Sequence, residues 1–469
     1  MYIILIKQVI MACVNEKMID EVYKQPELKC KTREKISESK VVDYLGLLAK
    51  IQDPNNNTGV FEEINLLAEN GQLDYEICPE LFINMFSVDN YSIKFVSICF
   101  RSSLYSMMNV PLDFMFQKYI ESLNMRNSDY KDMVTIVWEF IKEQPEILLK
   151  LDPILIEGLV LSLIRVLKIE KVLDCAYNSL IILFSTFNIP DCVLYEFWML
   201  INEINDDHPD YLLTYDSIIM LLDLYQEFSL SIIIHDSFFS SLIEKMLSSH
   251  EEIQFRLFNI IKVIVSLQPG YISLLNQDFL ALEMNSNWSP NTQIKFCEMI
   301  HSIMSAYRKN KNSINESSKG FLEDFAIRIA SYLPENTENS PYSIRESATM
   351  VICDFILFGE SSILFSFLCG RESIFDYMLE CITSQSEILV GSIIKSVITL
   401  LEFGDHLAKN MGTNNVYFQK TQNPEFYELI NSIDTSMNLD PLINALKNQI
   451  ERLSNFYSID ESNSIELSI

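Results

Sequence analysis

Apolar residues in this chain recur at the spacing of an α-helix, and the pattern is clearest between residues 343 and 404. The run Ser343–Gly359 carries Ala348, Ile352 and Phe355 at i, i+4 and i+7, which is one face of a helix, and it ends at a glycine. Two further amphipathic runs follow it. The pattern therefore predicts three helices in succession.

The same arrangement recurs along the chain at intervals of roughly 40 residues, which is typical of stacked helical repeats. Each copy has two residues one helical turn apart that we call a core pair. One interval is longer, and it contains a polar insert at residues 308–320 and a second polar stretch at 334–341, both of linker composition. The core pairs are Val96/Phe100, Val137/Ile141, Ala176/Leu180, Ser217/Leu221, Leu257/Ile261, Phe296/Ile300, Ala348/Ile352 and Ile393/Val397.

One repeat, Gly370–Gly404, resembles an armadillo repeat. A glycine opens its second helix, and the turn Ser384–Glu387 leads into a longer third helix. The stretches His235–Gly270 and Asp152–Phe187 show the same order, and the resemblance covers roughly residues 75–404. Some copies fit a two-helix, HEAT-like repeat equally well. The apolar stripe of the second helix in the first example is Ile374, Met378, Leu379 and Ile382.

Composition agrees with a helical protein, since 469 residues include only 11 glycines and 14 prolines while 49% are hydrophobic. We predict an all-α fold, a right-handed α-α superhelix of the armadillo or HEAT kind with about eight to nine repeats. We expect an atypical, partly disordered segment at residues 1–40 and the solenoid at 41–404. A loop, capping helices and a disordered tail would occupy 405–469.

The resemblance implies a surface for protein recognition rather than chemistry. Nuclear import adaptors of the armadillo class bind basic peptides with a ladder of Trp and Asn on the third helices. The matching positions here lie two residues before and two after the second member of each core pair. No tryptophan occurs in the first set and no asparagine in the second, so that ladder is absent.

Those positions instead hold acids, which predict a groove that attracts a Lys/Arg-rich partner. The alternative is that an acidic protein places acids on any solvent-facing helical stripe. Lys395 is the one basic residue in the two sets. The predicted partner-binding residues are Glu139, Glu143, Asn178, Asp223, Asn259, Glu298 and Asp354.

The net charge of −29 argues against nonspecific binding to nucleic acid or to anionic membranes. The scattered cysteines favour a reducing, intracellular location, cytoplasmic or nuclear or both, and no stretch is typical of a signal peptide or a membrane span. A small basic cluster near the N-terminus is either a solvated tail or a localisation or autoinhibitory signal. It consists of Lys29, Lys31, Arg33, Lys35 and Lys40.

No phosphate-loop, dinucleotide, nucleophile-elbow or zinc-protease motif occurs in the chain. The cluster Asp206–Asp210 is the one local group of potential metal ligands, and it reads more simply as a helix-capping turn. His301 is expected at the edge of the core. We therefore predict a non-enzymatic scaffold or adaptor without metal or cofactor. The alternatives are a divergent transport adaptor and a regulatory subunit or co-chaperone of an enzyme.

Overall fold

The regular structure of the described residues is entirely helical, which confirms the predicted all-α fold class. The chain divides into two compact units, Met1–Asp210 and Tyr211–Ile469. The basic cluster and the Asp206–Asp210 cluster lie outside the described residues. The computed structural model describes residues 42–53, 57–87, 89–124, 130–170, 174–203, 211–248, 250–275, 279, 282–311, 316–370, 373–411, 413–433 and 436–466.

The first unit consists of two rows of helices packed in chain order. One row runs α2, α4, α7, α10 and the other α6, α9, α11, with each helix contacting the next in its row. Its helices are α1 Tyr44–Ile51, α2 Asn57–Glu69, α3 Pro79–Phe86, α4 Asp89–Phe100, α5 Ser102–Met108, α6 Leu112–Asn124, α7 Tyr130–Glu143, α8 Pro145–Leu148, α9 Pro153–Glu170, α10 Asp174–Thr186 and α11 Asp191–Glu203.

The second unit has one long row in which α12, α15, α16, α18, α21 and α24 pack side by side in that order. Its helices are α12 Tyr211–Leu224, α13 Gln226–Phe228, a π-helical turn Ser229–Ile233, α14 Asp236–Ser248, α15 Glu251–Leu267, a 3-10 turn Pro269–Leu274, α16 Pro290–Asn310, α17 Glu316–Thr337, α18 Tyr342–Phe358, α19 Ser361–Gly370, α20 Ser373–Leu379, α21 Glu387–Met411, α22 Val416–Thr421, α23 Pro424–Asn431 and α24 Asp440–Glu466.

The core pairs lie in the row helices, and every member of them is buried. Even Ser217, the polar member, is 2% exposed. Serial packing explains this pattern, because each row helix covers the apolar stripe of the one before it. The repeat predicted from the sequence is therefore confirmed within each unit.

Glycines end some of these helices and permit close approach in others. Gly359 adopts a left-handed backbone with φ of 78° and ends α18, as the sequence predicts. Gly404 does not end its helix, since α21 continues to Met411. A Cβ at Gly404 would lie 2.3 Å from Oδ1 of Asn415, so the glycine there admits a neighbouring side chain.

The polar stretches in the long interval are more helical than their composition suggests. Helix α16 extends to Asn310, and α17 runs from Glu316 through Pro334 to Thr337, so the expected loop at 334–341 is wrong for its first half. Pro334 is tolerated because it is buried in the unit, and the Thr337 hydroxyl donates to the Leu333 carbonyl at 2.8 Å. Tertiary packing here overrides a helix-breaking residue.

The repeats differ in the number of helices between row members. One helix, α17, lies between α16 and α18, whereas α19 and α20 both lie between α18 and α21. Gly370 ends α19 instead of opening the next helix, which begins at Ser373. The array is thus regular in its row helices and irregular in its connections.

Candidate functional site

The predicted partner-binding residues all lie on the row helices. In the first unit Glu139 and Glu143 are exposed and lie one turn apart on α7. Asn178 is half-buried on α10, the next helix of the row. This side of the first unit therefore presents two exposed acids and a half-buried amide, and their role in binding a partner stays a prediction.

In the second unit Asp223 is exposed near the end of α12, and Asn259 is half-buried on the adjacent helix α15. The pKa of the Asp223 carboxyl is raised, because surrounding protein atoms displace water from it although its own surface remains open. The Lys262 ammonium opposes that shift.

Glu298, on α16, is already paired with two lysines. Its Oε2 accepts from Nζ of Lys262 at 2.6 Å and from Nζ of Lys295 at 2.9 Å. Partial burial raises the pKa of Glu298, but the hydrogen bonds and charges of the lysines outweigh it and hold the pKa below its usual value. Glu298 is consequently a poor candidate for capturing a further cation.

Asp354, on α18, is buried, with its side chain 2% exposed. Its Oδ2 lies 2.6 Å from Nδ1 of His301, and its Oδ1 accepts from a guanidinium nitrogen of Arg308 at 2.5 Å. The prediction that Asp354 projects as an open acid is wrong, because two cationic or ionisable side chains of α16 cover it. His301 is half-exposed at the edge of the core, where the sequence places it.

Ion pairs of this kind link several neighbouring helices in the row of the second unit. Arg256 of α15 donates through two nitrogens to the Asp216 carboxylate of α12, at 2.7 and 3.1 Å. The Lys262–Glu298 bond joins α15 to α16, and the Asp354 cluster joins α16 to α18. This side of the second unit is mixed in charge, so a uniformly acidic groove is not found there.

Sequence reasoning missed this pairing for a simple reason. The predicted acids occupy two fixed positions in each repeat. Their cationic partners Arg256, Lys262 and Arg308 lie at other positions. Partners are separated by a full repeat, and a single sequence does not indicate which acid meets which base. The i, i+7 spacing of His301 and Arg308 on one helix face was the available signal.

Within the part of the chain that the structure describes, no group of three or more His, Cys, Asp or Glu side chains is placed to hold a metal ion. The same residues include no helix with both the length and the apolar character needed to cross a bilayer.

Comparison with solved structures gives a likeness of fold. The chain aligns with an engineered protein at a TM-score of 0.50 and 9% identity, over 87% of this chain and 98% of that one. A crystal structure of Kap121p bound to Nup53p aligns at a TM-score of 0.30 and 13% identity, over 76% of this chain and 36% of that one, which is too low to support a shared fold. No protein-family model and no curated protein matches the chain.

Proposed function

We propose that this protein is a non-enzymatic scaffold that binds a protein partner along the exposed side of its helix rows. One observation carries the proposal. In the row helices the core pairs are buried, whereas the positions two before and two after the second member of each pair are exposed or half-buried wherever the structure describes their burial, apart from Ile98 and Asp354. Within each unit, successive row helices thus present accessible side chains at equivalent positions, which is the kind of surface that helical-repeat proteins use for recognition.

The finer proposal concerns the chemistry of that partner. Glu139 and Glu143 are exposed acids one turn apart, whereas Glu298 is half-buried and Asp354 is buried. A Lys/Arg-rich segment would therefore bind on the α7 side of the first unit, where complementary charge favours it. The second unit would contribute less to holding such a segment.

Charge reversal tests this assignment. We would measure binding of a fluorescein-labelled Lys/Arg-rich peptide to the full chain by anisotropy at fixed ionic strength. The variant Glu139→Lys/Glu143→Lys should weaken binding at least about tenfold, because like charges then face each other across the interface. The matched control is Glu157→Lys/Asp191→Lys on α9 and α11 of the other row, which changes the net charge by the same amount.

If both double variants lose affinity equally, the peptide responds to net charge alone and the assigned face is wrong. If neither loses affinity, the first unit does not select basic segments. Cross-linking of the full chain in cell extract then identifies the partner. A transport receptor would favour the adaptor reading, and a stoichiometric enzyme would favour a regulatory subunit or co-chaperone.

A further inference from the structure

Asp354, His301 and Arg308 form a partly buried polar group in the second unit, the Asp354 cluster. Burying its carboxylate costs free energy that packing of the two helices, α16 and α18, does not require. Burying a carboxylate is expensive even when it is paired, and apolar residues of similar volume often stabilise a core as well or better. On the same two helices, the core-pair residues Ile300 and Ile352 are buried and apolar. A buried charge kept among them indicates a role for the groups that it holds in place.

The carboxylate orients His301. Oδ1 of Asp354 accepts from the permanently charged Arg308, so its other oxygen acts as the acceptor of a proton on Nδ1 of His301. This arrangement fixes the tautomer of the neutral ring and leaves Nε2 on the opposite side. The imidazole side chain is 38% exposed, so part of the ring surface is accessible to a ligand.

Asp354 also holds Arg308, through a hydrogen bond from one of its guanidinium nitrogens. Its side chain is 31% exposed, and within the described residues the Asp354 contact is the one hydrogen bond or ion pair of its guanidinium to a side chain. Four of its five N–H donors therefore remain for another acceptor. Ser305 lies between the two residues, four positions after His301 and three before Arg308, and is half-buried on the same face of α16.

We propose that His301, Ser305 and Arg308 form a binding site for an oxyanion, a carboxylate or phosphoryl group carried by a protein partner. Arg308 donates through its free N–H groups, Ser305 through its hydroxyl, and His301 through Nε2 once that atom is protonated. Because Asp354 already balances the charge of Arg308, binding of the anion is coupled to uptake of one proton by His301. The site lies in the second unit and does not depend on the proposed function of the first.

Other charged groups around His301 limit what the site can accept. Asp354 faces it from α18 and Arg308 lies on its own helix. Glu298, one turn earlier on α16, is already bonded to Lys262 of α15 and to Lys295. Two acids and three bases leave a local charge of +1 with His301 neutral, and the chain as a whole has a net charge of −29. The anion therefore gains little from long-range attraction and depends on direct hydrogen bonds. A free anion should bind weakly, and one attached to a partner more tightly.

Histidine nitrogen spectra of the full chain test the proposal. The protein has five histidines, so a chain labelled with ¹⁵N-histidine gives a spectrum in which His301→Gln identifies the resonance of interest. We would titrate inorganic phosphate and, separately, acetate against chloride at constant ionic strength, near pH 6 and near pH 8. His406 is the internal control, since it is exposed on α21 and its Nε2 contacts Asn410.

We expect a saturable shift at His301 that is stronger at the lower pH and absent at His406. Arg308→Gln should weaken binding about tenfold or more, because hydrogen bonds to charged groups are lost. Ser305→Ala should weaken it several-fold and leaves both partners of Asp354 in place. If only phosphate saturates the His301 shift, the partner's group is a phosphoryl group. If acetate saturates the shift as well, the group is a carboxylate.

The proposal is overturned if His301 and His406 shift together in proportion to anion concentration, or if neither anion perturbs His301. It is also overturned if Ser305→Ala and Arg308→Gln, folded as judged by their remaining histidine resonances, bind as the parent chain does.

Discussion

Replacing Arg308 with alanine leaves the Asp354 carboxylate, 2% exposed, with His301 as its one remaining ionic partner. Replacing Asp354 with asparagine instead leaves Arg308 and His301, which are 31% and 38% exposed and can turn toward water. The two changes break the same ion pair. They should nevertheless differ in cost, because only the first strands a buried charge.

The magnitudes follow from that difference. Removing one partner of a buried ion pair costs about 3–5 kcal/mol when the remaining charge is uncompensated. Because His301 still bonds Asp354, the expected loss for Arg308→Ala is at the lower end of that range, about 3 kcal/mol. Asp354→Asn removes charge-assisted hydrogen bonds from partly exposed groups, which should cost about 1–2 kcal/mol. The double variant Arg308→Met/Asp354→Leu replaces the pair with apolar volume, and its stability should return to within about 1 kcal/mol of the parent.

The second unit contains its own reporter for this measurement. Of the three tryptophans in the chain, Trp288 is the one in the second unit, and its ring lies 5.4 Å from that of Phe258 and 5.8 Å from that of Phe296. In a Trp138→Phe/Trp198→Phe background, urea unfolding followed by fluorescence therefore reports the second unit alone. The reasoning is refuted if Asp354→Asn costs as much as Arg308→Ala.

Two further predictions concern the start of one helix and glycines inside two others. The pKa of Glu251 is lowered, partial burial being outweighed by hydrogen bonds from Ser289 and its helix. Its contribution is therefore present above the ordinary value of 4.5 and lost as the pH falls through the depressed pKa. Glu251→Gln should cost about 1 kcal/mol near neutral pH and nothing in strong acid, so a pH-independent difference in urea midpoint would contradict this. Gly404→Ala should destabilise the chain by about 1–3 kcal/mol, because the methyl group meets Asn415. Gly320→Ala on α17 meets no atom within 4 Å and should stabilise by up to about 1 kcal/mol, and the pair is wrongly explained if both changes have the same sign.

The sequence predicted the row helices well because their signal is local. Residues such as Val137 and Ile141 lie one turn apart and are both buried, so periodicity alone identifies the buried face. It failed where a distant contact decides the local structure. Helix α17 continues through Pro334, which is buried, and α21 continues through Gly404, where the side chain of Asn415 lies too close for a Cβ.

The candidate site was predicted less well for a related reason. The positions of Glu139 and Asp223 on accessible stripes follow from helix geometry, and the structure agrees. Whether Glu298 and Asp354 are open or paired depends on Lys262 and Arg308, which lie about one repeat away in the sequence. Their pairing is a property of two helices in contact, and one helix considered alone does not contain it.

The ion pairs between row helices also bear on how such a chain could change by recombination. The contact of α12 with α15 uses an arginine fork on Asp216, whereas that of α16 with α18 uses His301 and Arg308 on Asp354. Deleting or duplicating one copy would place a carboxylate beside a helix that lacks its base. The repeats share one arrangement of helices, but the charged residues of each repeat match those of one particular neighbour. Reordering the repeats would therefore destabilise the fold.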